Sequence, residues 1–230
     1  MATDRQRQAL RRGLVRLVAG MAVVLALLFV PAGSWAWPLG WLCLAALALG
    51  LGAGLLVLWR ANPDIFVARD RIQPGTKGWD YVFLALVFGG FIAVPVVAGL
   101  DFRFGWTRAP GWLVAAGYVL FAAGFVGQVW PQAVNRHFEP GVRIQSDRRH
   151  RVVDTGPYAL VRHPGYVGGS LFAVGLALAL GSLAALLPAA AVVAALLLRT
   201  VVEDQTLQRE LPGYAEYALR VRFRWLPGVW

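Results

Sequence analysis

Four intervals of this chain contain no Asp, Glu, Lys or Arg: those between Arg16 and Arg60, Asp80 and Asp101, Arg108 and Arg136, and Arg162 and Arg199. Each can hold at least one helix of the ~20 residues that a bilayer core requires. The composition agrees, with 58% hydrophobic and only 15% charged residues. A chain this apolar is expected to be a polytopic membrane protein. The fold class expected is all-α, a membrane bundle of about six transmembrane helices closing with a C-terminal helical hairpin.

The net charge of +10 could suggest a nucleic-acid partner. The basic residues, however, lie between apolar spans and form no continuous surface for a phosphate backbone, so no nucleic acid is expected. Lys77 is the only lysine. That bias, with heavy use of Ala, Leu and Gly, suits GC-rich coding and hence a bacterial source. Cys43, the only cysteine, can form neither an intrachain disulfide nor a thiolate metal site, and reads as a small buried thiol. His137, His150 and His163 have no common metal-site spacing, so no metal is expected.

Residues 1–16 carry five arginines before the apolar run Leu17–Val30. The layout resembles a signal peptide, with Ser34 and Ala36 suiting a cleavage site, but further spans follow and a retained first helix is expected. Pro38–Trp59 is the second span. Its Gly50-Leu51-Gly52-Ala53-Gly54 run matches a GxGxG loop, yet no strand or polar turn surrounds it, as a nucleotide-binding loop would require. Close helix packing through Gly50 and Gly54 is the better account. Residues 60–80 are a polar connection, Tyr81–Leu100 the third span, Gly111–Trp130 the fourth. Two regions are expected: residues 1–130, an N-terminal four-helix membrane region, and 131–230, a catalytic region of polar loop, hairpin and tail.

Gly165–Leu198 would be ~50 Å long as one helix, far beyond a ~30 Å hydrocarbon core. Gly181-Ser182 offers a turn near its middle. Two short spans of about 17 residues each are therefore expected. The charge distribution tests this count. With six spans, the N-terminus, residues 60–80, residues 131–163 and the C-terminus share one side and hold 20 of the 22 Lys and Arg residues. Only Arg103 and Arg108 lie opposite. The expectation is a multi-pass protein of the bacterial inner membrane, with both termini and the active site cytoplasmic. In the tail, Val221-Arg222-Phe223-Arg224-Trp225 alternates as a short strand or interfacial segment would, with Trp225 and Trp230 as membrane anchors.

Two polar clusters bracket the hairpin. Arg162, His163, Pro164, Tyr166 and Gly168 stand where a loop enters the membrane. Pro164 suits a first helical turn, and Gly168 and Gly169 leave room for a ligand or another backbone. Ionisable groups at such a boundary are candidates for function, although Arg162 and His163 could equally flank a span as interfacial anchors. Arg199 and Glu203, at i and i+4, share one helix face. A surface ion pair is the plainer account, but Arg before Glu is the less favourable order for helix support.

The pattern Arg162-His163-Pro-x-Tyr166-x-Gly168, followed after a hairpin by Arg199-x-x-x-Glu203, resembles the isoprenylcysteine carboxyl methyltransferase and phospholipid methyltransferase superfamily. Gly156-Pro157-Tyr158, Leu207, Tyr214 and Tyr217 share in the resemblance, which covers about residues 135–230. Asp204 stands where the family has a second Glu, with a shorter side chain. The resemblance implies an integral membrane methyltransferase with S-adenosylmethionine as donor, bound between the 156–168 segment and the end of the hairpin. Tyr158, His163, Pro164, Tyr166, Gly168, Glu203 and Asp204 would form the cofactor site, and Arg162, Arg199 and Glu203 the catalytic set, with the two arginines facing the acceptor. A carboxylate near a sulfonium offsets its charge, and in-line methyl transfer requires positioning above all. An arginine fork can orient a carboxylate acceptor, whereas a thiol or amine needs a base, with His163 or Glu203 the candidates. The partners implied are the lipid bilayer and a lipophilic or small membrane-soluble acceptor: an isoprenylcysteine-like carboxylate, a lipid or a thiol. The alternatives are a sterol-reductase-like enzyme using nicotinamide, or a non-catalytic membrane protein of the same fold.

Overall fold

The computed structural model describes residues 4–230, with backbone alone for Arg5, Gln6, Arg7 and Ala9. Among these residues the structure is helical, without strands. Helices α1 (Asp4–Ala32), α2 (Pro38–Ala61), α4 (Asp80–Phe104), α5 (Gly111–Val134) and α7 (Leu186–Glu210) are long and apolar enough to cross a membrane. Helix α6 (Pro164–Ala179) is apolar but only 16 residues long, or about 24 Å at 1.5 Å per residue. The single turn α3 (Ile65–Ala68) and the short α8 (Tyr214–Arg220) lie outside the spans. Five spans and one short apolar helix thus form the expected polytopic bundle.

The hairpin turns where the residues allow it. Gly181 adopts φ +77°, a conformation that glycine takes without penalty. The turn that follows, just before α7, is held from the end of α4. Buried Asp101 accepts hydrogen bonds from Thr107 Oγ1 and Ser182 Oγ. Those same hydroxyls accept from the backbone N–H groups of Leu183, Ala184 and Ala185, at 3.1, 3.1 and 3.0 Å. These N–H groups belong to the turn that leads into α7, whose own first donors, Leu186 and Leu187, bond to the carbonyls of Leu183 and Ala184, both at 3.1 Å. The hairpin arms are unequal: α7 runs for 25 residues, longer than the expected 17, because its last turns leave the apolar layer.

Small residues let the helices touch. A Cβ placed on Gly168 would lie 2.3 Å from the Gly127 carbonyl carbon, and one on Gly175 would lie 2.3 Å from Phe121 N. Helices α5 and α6 therefore meet backbone to backbone, the usual way for small residues to build a membrane interface. Phe125 of α5 lies over both Gly50 and Gly54 of α2, so the glycine run in the second span is a packing surface, as its apolar setting implies.

Of the two forms expected for the tail, a short strand or an interfacial segment, the strand is absent among the described residues. Instead, the N–H groups of Arg162 and His163 donate to the carbonyls of Phe223 and Arg224, each at 3.0 Å. The chain then turns back, and Trp230 O accepts from the N–H groups of Arg224, Trp225 and Leu226. Trp225 is buried and donates to Thr200 Oγ1 at 2.7 Å. It is a core residue rather than a membrane anchor, because an alternating segment can also bury one face against a helix end.

Candidate active site

The residues of the 156–168 segment are held from three sides. A short 3-10 turn, Gly156–Ala159, presents Tyr158, whose phenol oxygen accepts from Asn135 Nδ2 at 3.1 Å and whose carbonyl accepts from Tyr217 Oη at 2.7 Å. Burial raises the pKa of Tyr158, so the phenol stays protonated. His163 then caps α6, with Pro164 at its first position, and Gln128 of α5 donates to the carbonyl of Gly165. The tail clamps the same segment through Phe223 and Arg224.

Beneath it lies Asp204, fully buried. Arg162 grips its carboxylate with two prongs, Nε–Oδ1 at 2.8 Å and Nη2–Oδ2 at 2.9 Å, while Arg162 Nη1 donates to the carbonyls of Val221 and Arg222, both at 2.8 Å. Arg224 Nε, Gln208 Nε2 and Tyr214 Oη also donate to Asp204, each at 3.0 Å, and His163 Nε2 lies 3.3 Å away. A buried carboxylate with this many donors is well stabilised as an anion.

One turn away, Arg199 does not pair with Glu203. Its fork closes on Asp80 of α4, Nε–Oδ1 at 2.7 Å and Nη2–Oδ2 at 2.8 Å, and Nη2 also donates to Pro140 O at 2.7 Å. The guanidinium lies 5.3 Å from the centre of the Tyr166 ring, a cation–π distance. Tyr166 Oη in turn donates to Glu203, and the His163 ring stacks on Tyr166 at 5.6 Å and 9°. His163, Tyr166, Arg199 and Glu203 thus form one contiguous layer.

This layer walls a cavity of about 730 Å³, within the size range of small-molecule sites. Tyr158, His163, Tyr166 and Glu203 line its polar end, and Leu47, Leu51 and Phe88 are among the residues of its apolar end. Its roof is the 135–153 loop, joined to the α3–α4 connection: Lys77 N donates to Val142 O at 2.8 Å and Val142 N to Asp80 Oδ2 at 2.7 Å. Inside the roof, Gln145 Oε1 lies 3.2 Å from His137 Nδ1, and Gln145 N donates to His150 Nδ1 at 3.3 Å. Burial, reinforced by the neighbouring His137 and by Arg143 and Arg148, lowers the His150 pKa to about 4. No cluster of three or more His, Cys, Asp or Glu that could hold a metal exists among the described residues.

Most residues that the resemblance assigns to the cofactor meet at this cavity: Tyr158, His163, Pro164, Tyr166 and Glu203 all line it. Gly168 and Asp204 do not. Gly168 has no space to offer a ligand because Gly127 fills it, and Asp204 is enclosed by its own donors. Arg162 and Arg199 line the cavity, but their forks close on Asp204 and Asp80. Sequence reasoning did not find Asp80, Gln128 or Asn135. Asp80 carried a signal, as a lone carboxylate at the boundary of a charge-free span.

Residues 112–212, a little under half of the chain, match a family model described as phospholipid methyltransferase. No curated protein matches the chain. Over that stretch, which takes in α5, α6, α7 and the whole polar layer, the chain is similar to the phospholipid methyltransferases, in agreement with the superfamily that the patterns at 162–168 and 199–204 resemble.

Proposed function

We propose that this protein is an S-adenosylmethionine-dependent methyltransferase acting on a lipophilic or small membrane-soluble acceptor at the cytoplasmic face of the membrane. One observation carries the reading: a single cavity joins Tyr158, His163, Tyr166 and Glu203 to an apolar wall contributed by the membrane helices. The cavity's size and its polar end suit a charged donor, and its apolar end suits a lipid-like acceptor. In the six-span arrangement, the segments on the same side as the 131–163 loop hold 20 of the 22 Lys and Arg residues, which supports a cytoplasmic site.

Bound there, the donor supplies a methyl group on sulfonium: the acceptor's lone pair makes the new bond to carbon while the carbon–sulfur bond breaks and its electrons return to sulfur. Glu203 offsets the sulfonium charge in a site of reduced dielectric. Tyr166 orients Glu203 through its hydroxyl, and Arg199, anchored by Asp80, supports the Tyr166 ring. Arg162 works at one remove, through Asp204, by fixing His163 and the entry of α6. These residues position the reactants, which is the main demand of an in-line transfer. Where the acceptor is a thiol or amine, Glu203 or His163 accepts its proton.

The test is transfer of radiolabelled methyl from S-adenosylmethionine into organic-extractable material by membranes containing the protein, beside Glu203→Gln. Incorporation by the parent that falls at least tenfold in the variant is the expected result. Equal incorporation by both would overturn the assignment of Glu203, and none above empty membranes would overturn the activity.

A further inference from the structure

Five arginines line the cavity: Arg69, Arg143, Arg151, Arg162 and Arg199. Three are neutralised in place. Arg143 pairs with Glu139 and Asp147, Arg162 with Asp204, and Arg199 with Asp80. Among the described residues, no carboxylate pairs with Arg69 or Arg151. Arg69 differs in its surroundings. It lies just after α3, outside the stretch that matches the family model, and its guanidinium sits 5.3 Å from the centre of the Phe138 ring.

Phe138 connects Arg69 to the donor segment. A Cβ on Gly165 would lie 2.9 Å from Phe138 Cε2 and Cζ, so one ring neighbours both Gly165, in the first turn of α6, and the arginine. Arg69 thus shares a neighbouring ring, and a cavity, with the segment that carries His163 and Tyr166. It also stands on a shared wall. A second cavity of about 230 Å³ is lined by Arg69, Leu55, Leu58 and Gln132, all of which line the main cavity as well. An unpaired fork beside an apolar wall, close to the reacting centre, matches an amphiphile with an anionic head.

We propose that Arg69 binds the anionic group of the acceptor, a phosphate or a carboxylate, while the acceptor's chain lies along Leu55 and Leu58. This deepens the methyltransferase reading and rests on it for the word acceptor, but the binding site stands on geometry alone. The Phe138 ring, 5.3 Å from the guanidinium carbon, gives the cation an aromatic neighbour, and a guanidinium can make a two-pronged contact with an oxyanion. A lysine in its place would keep the charge and lose the fork.

The experiment measures binding of dodecyl phosphate, dodecanoate and dodecanol to the full chain in an uncharged detergent. Parent, Arg69→Gln, Arg69→Lys and Arg71→Gln are compared, the last an exposed arginine two residues away that lines neither cavity. The expected result is that Arg69→Gln weakens the anionic probes at least tenfold and leaves dodecanol unchanged. Arg69→Lys should fall between, and Arg71→Gln should match the parent. The tighter of the two anions then distinguishes a phosphate head from a carboxylate. Unchanged anion binding in Arg69→Gln, an equal loss for dodecanol, or an equal loss in Arg71→Gln would overturn the proposal. S-adenosylmethionine binding is measured on the same samples: its absence from the parent would sink the methyltransferase reading while the anion result stood or fell by itself.

Discussion

Asp204 and Arg162 meet in a two-pronged ion pair, 2.8 and 2.9 Å long, with side chains only 0% and 5% exposed. The pair joins the end of α7 to the entry of α6, and three further donors converge on the same carboxylate. Removing one member leaves the other buried and uncompensated, which typically costs about 3–5 kcal/mol. Asp204→Ala should therefore destabilise the protein on that scale. The double variant Asp204→Leu/Arg162→Met should lose less than the sum of the single changes. Thermal unfolding in detergent measures both, and strict additivity would show that the two residues do not act as a unit.

The α5–α6 interface makes a prediction about space. Gly168→Ala sets a methyl 2.3 Å from the Gly127 backbone, and overpacking of this kind costs ~1–3 kcal/mol or more. Gly52→Ala meets nothing within 4 Å and should be neutral or stabilising by up to about 1 kcal/mol, as expected for Gly→Ala within a helix. Similar melting of the two variants would contradict the interlocked backbones.

Arg199 tests fork against charge. Arg199→Lys keeps the positive charge but cannot hold both oxygens of Asp80 and Pro140 O at once. Methyl transfer should fall about tenfold, equivalent to ~1.4 kcal/mol of transition-state stabilisation, with the protein still folded. Asp80→Asn should reproduce the loss. Full activity in both would separate the Asp80–Arg199 pair from the positioning of Tyr166.

Histidine burial gives the roof a pH dependence. His150 has its pKa lowered to about 4, whereas in the unfolded chain it titrates near ~6.5. Between those values the unfolded state binds more protons, so stability rises with pH there. On acidification the contribution is lost progressively from about pH 6.5 and is exhausted near pH 4. Melting between pH 7.5 and 5 should thus drop more in the parent than in His150→Gln. Equal drops would mean that the fold does not hold His150 as a neutral ring.

Much of this was legible in the sequence for definite reasons. Charge-free intervals mark spans because charge is costly in hydrocarbon, and Gly181-Ser182 marks the hairpin because the run is too long for one crossing. The meeting of Tyr166 with Glu203 was accessible from two motifs on either side of that turn. Other features were not. Whether Gly168 receives a ligand or a helix depends on Gly127, 41 positions earlier, and no local pattern chooses between them. Arg199 and Glu203 share a face as their spacing implies, but their partners, Asp80 and Tyr166, come from other helices. Asp204 lacks one methylene relative to the family's Glu, and only the structure shows it enclosed by Arg162, Tyr214 and Arg224 instead of facing the cavity. The alternation of residues 221–225 suits a strand or an interfacial segment equally, and its local period does not show that Trp225 is buried against Thr200.

The central claim is that the cavity bounded by His163, Tyr166 and Glu203 binds the methyl donor. Calorimetric titration of the purified protein in detergent with S-adenosylmethionine and S-adenosylhomocysteine, beside Glu203→Ala and His163→Ala, tests it most directly. The account predicts micromolar binding of both ligands by the parent and its loss in both variants. A folded parent that binds neither ligand would contradict it.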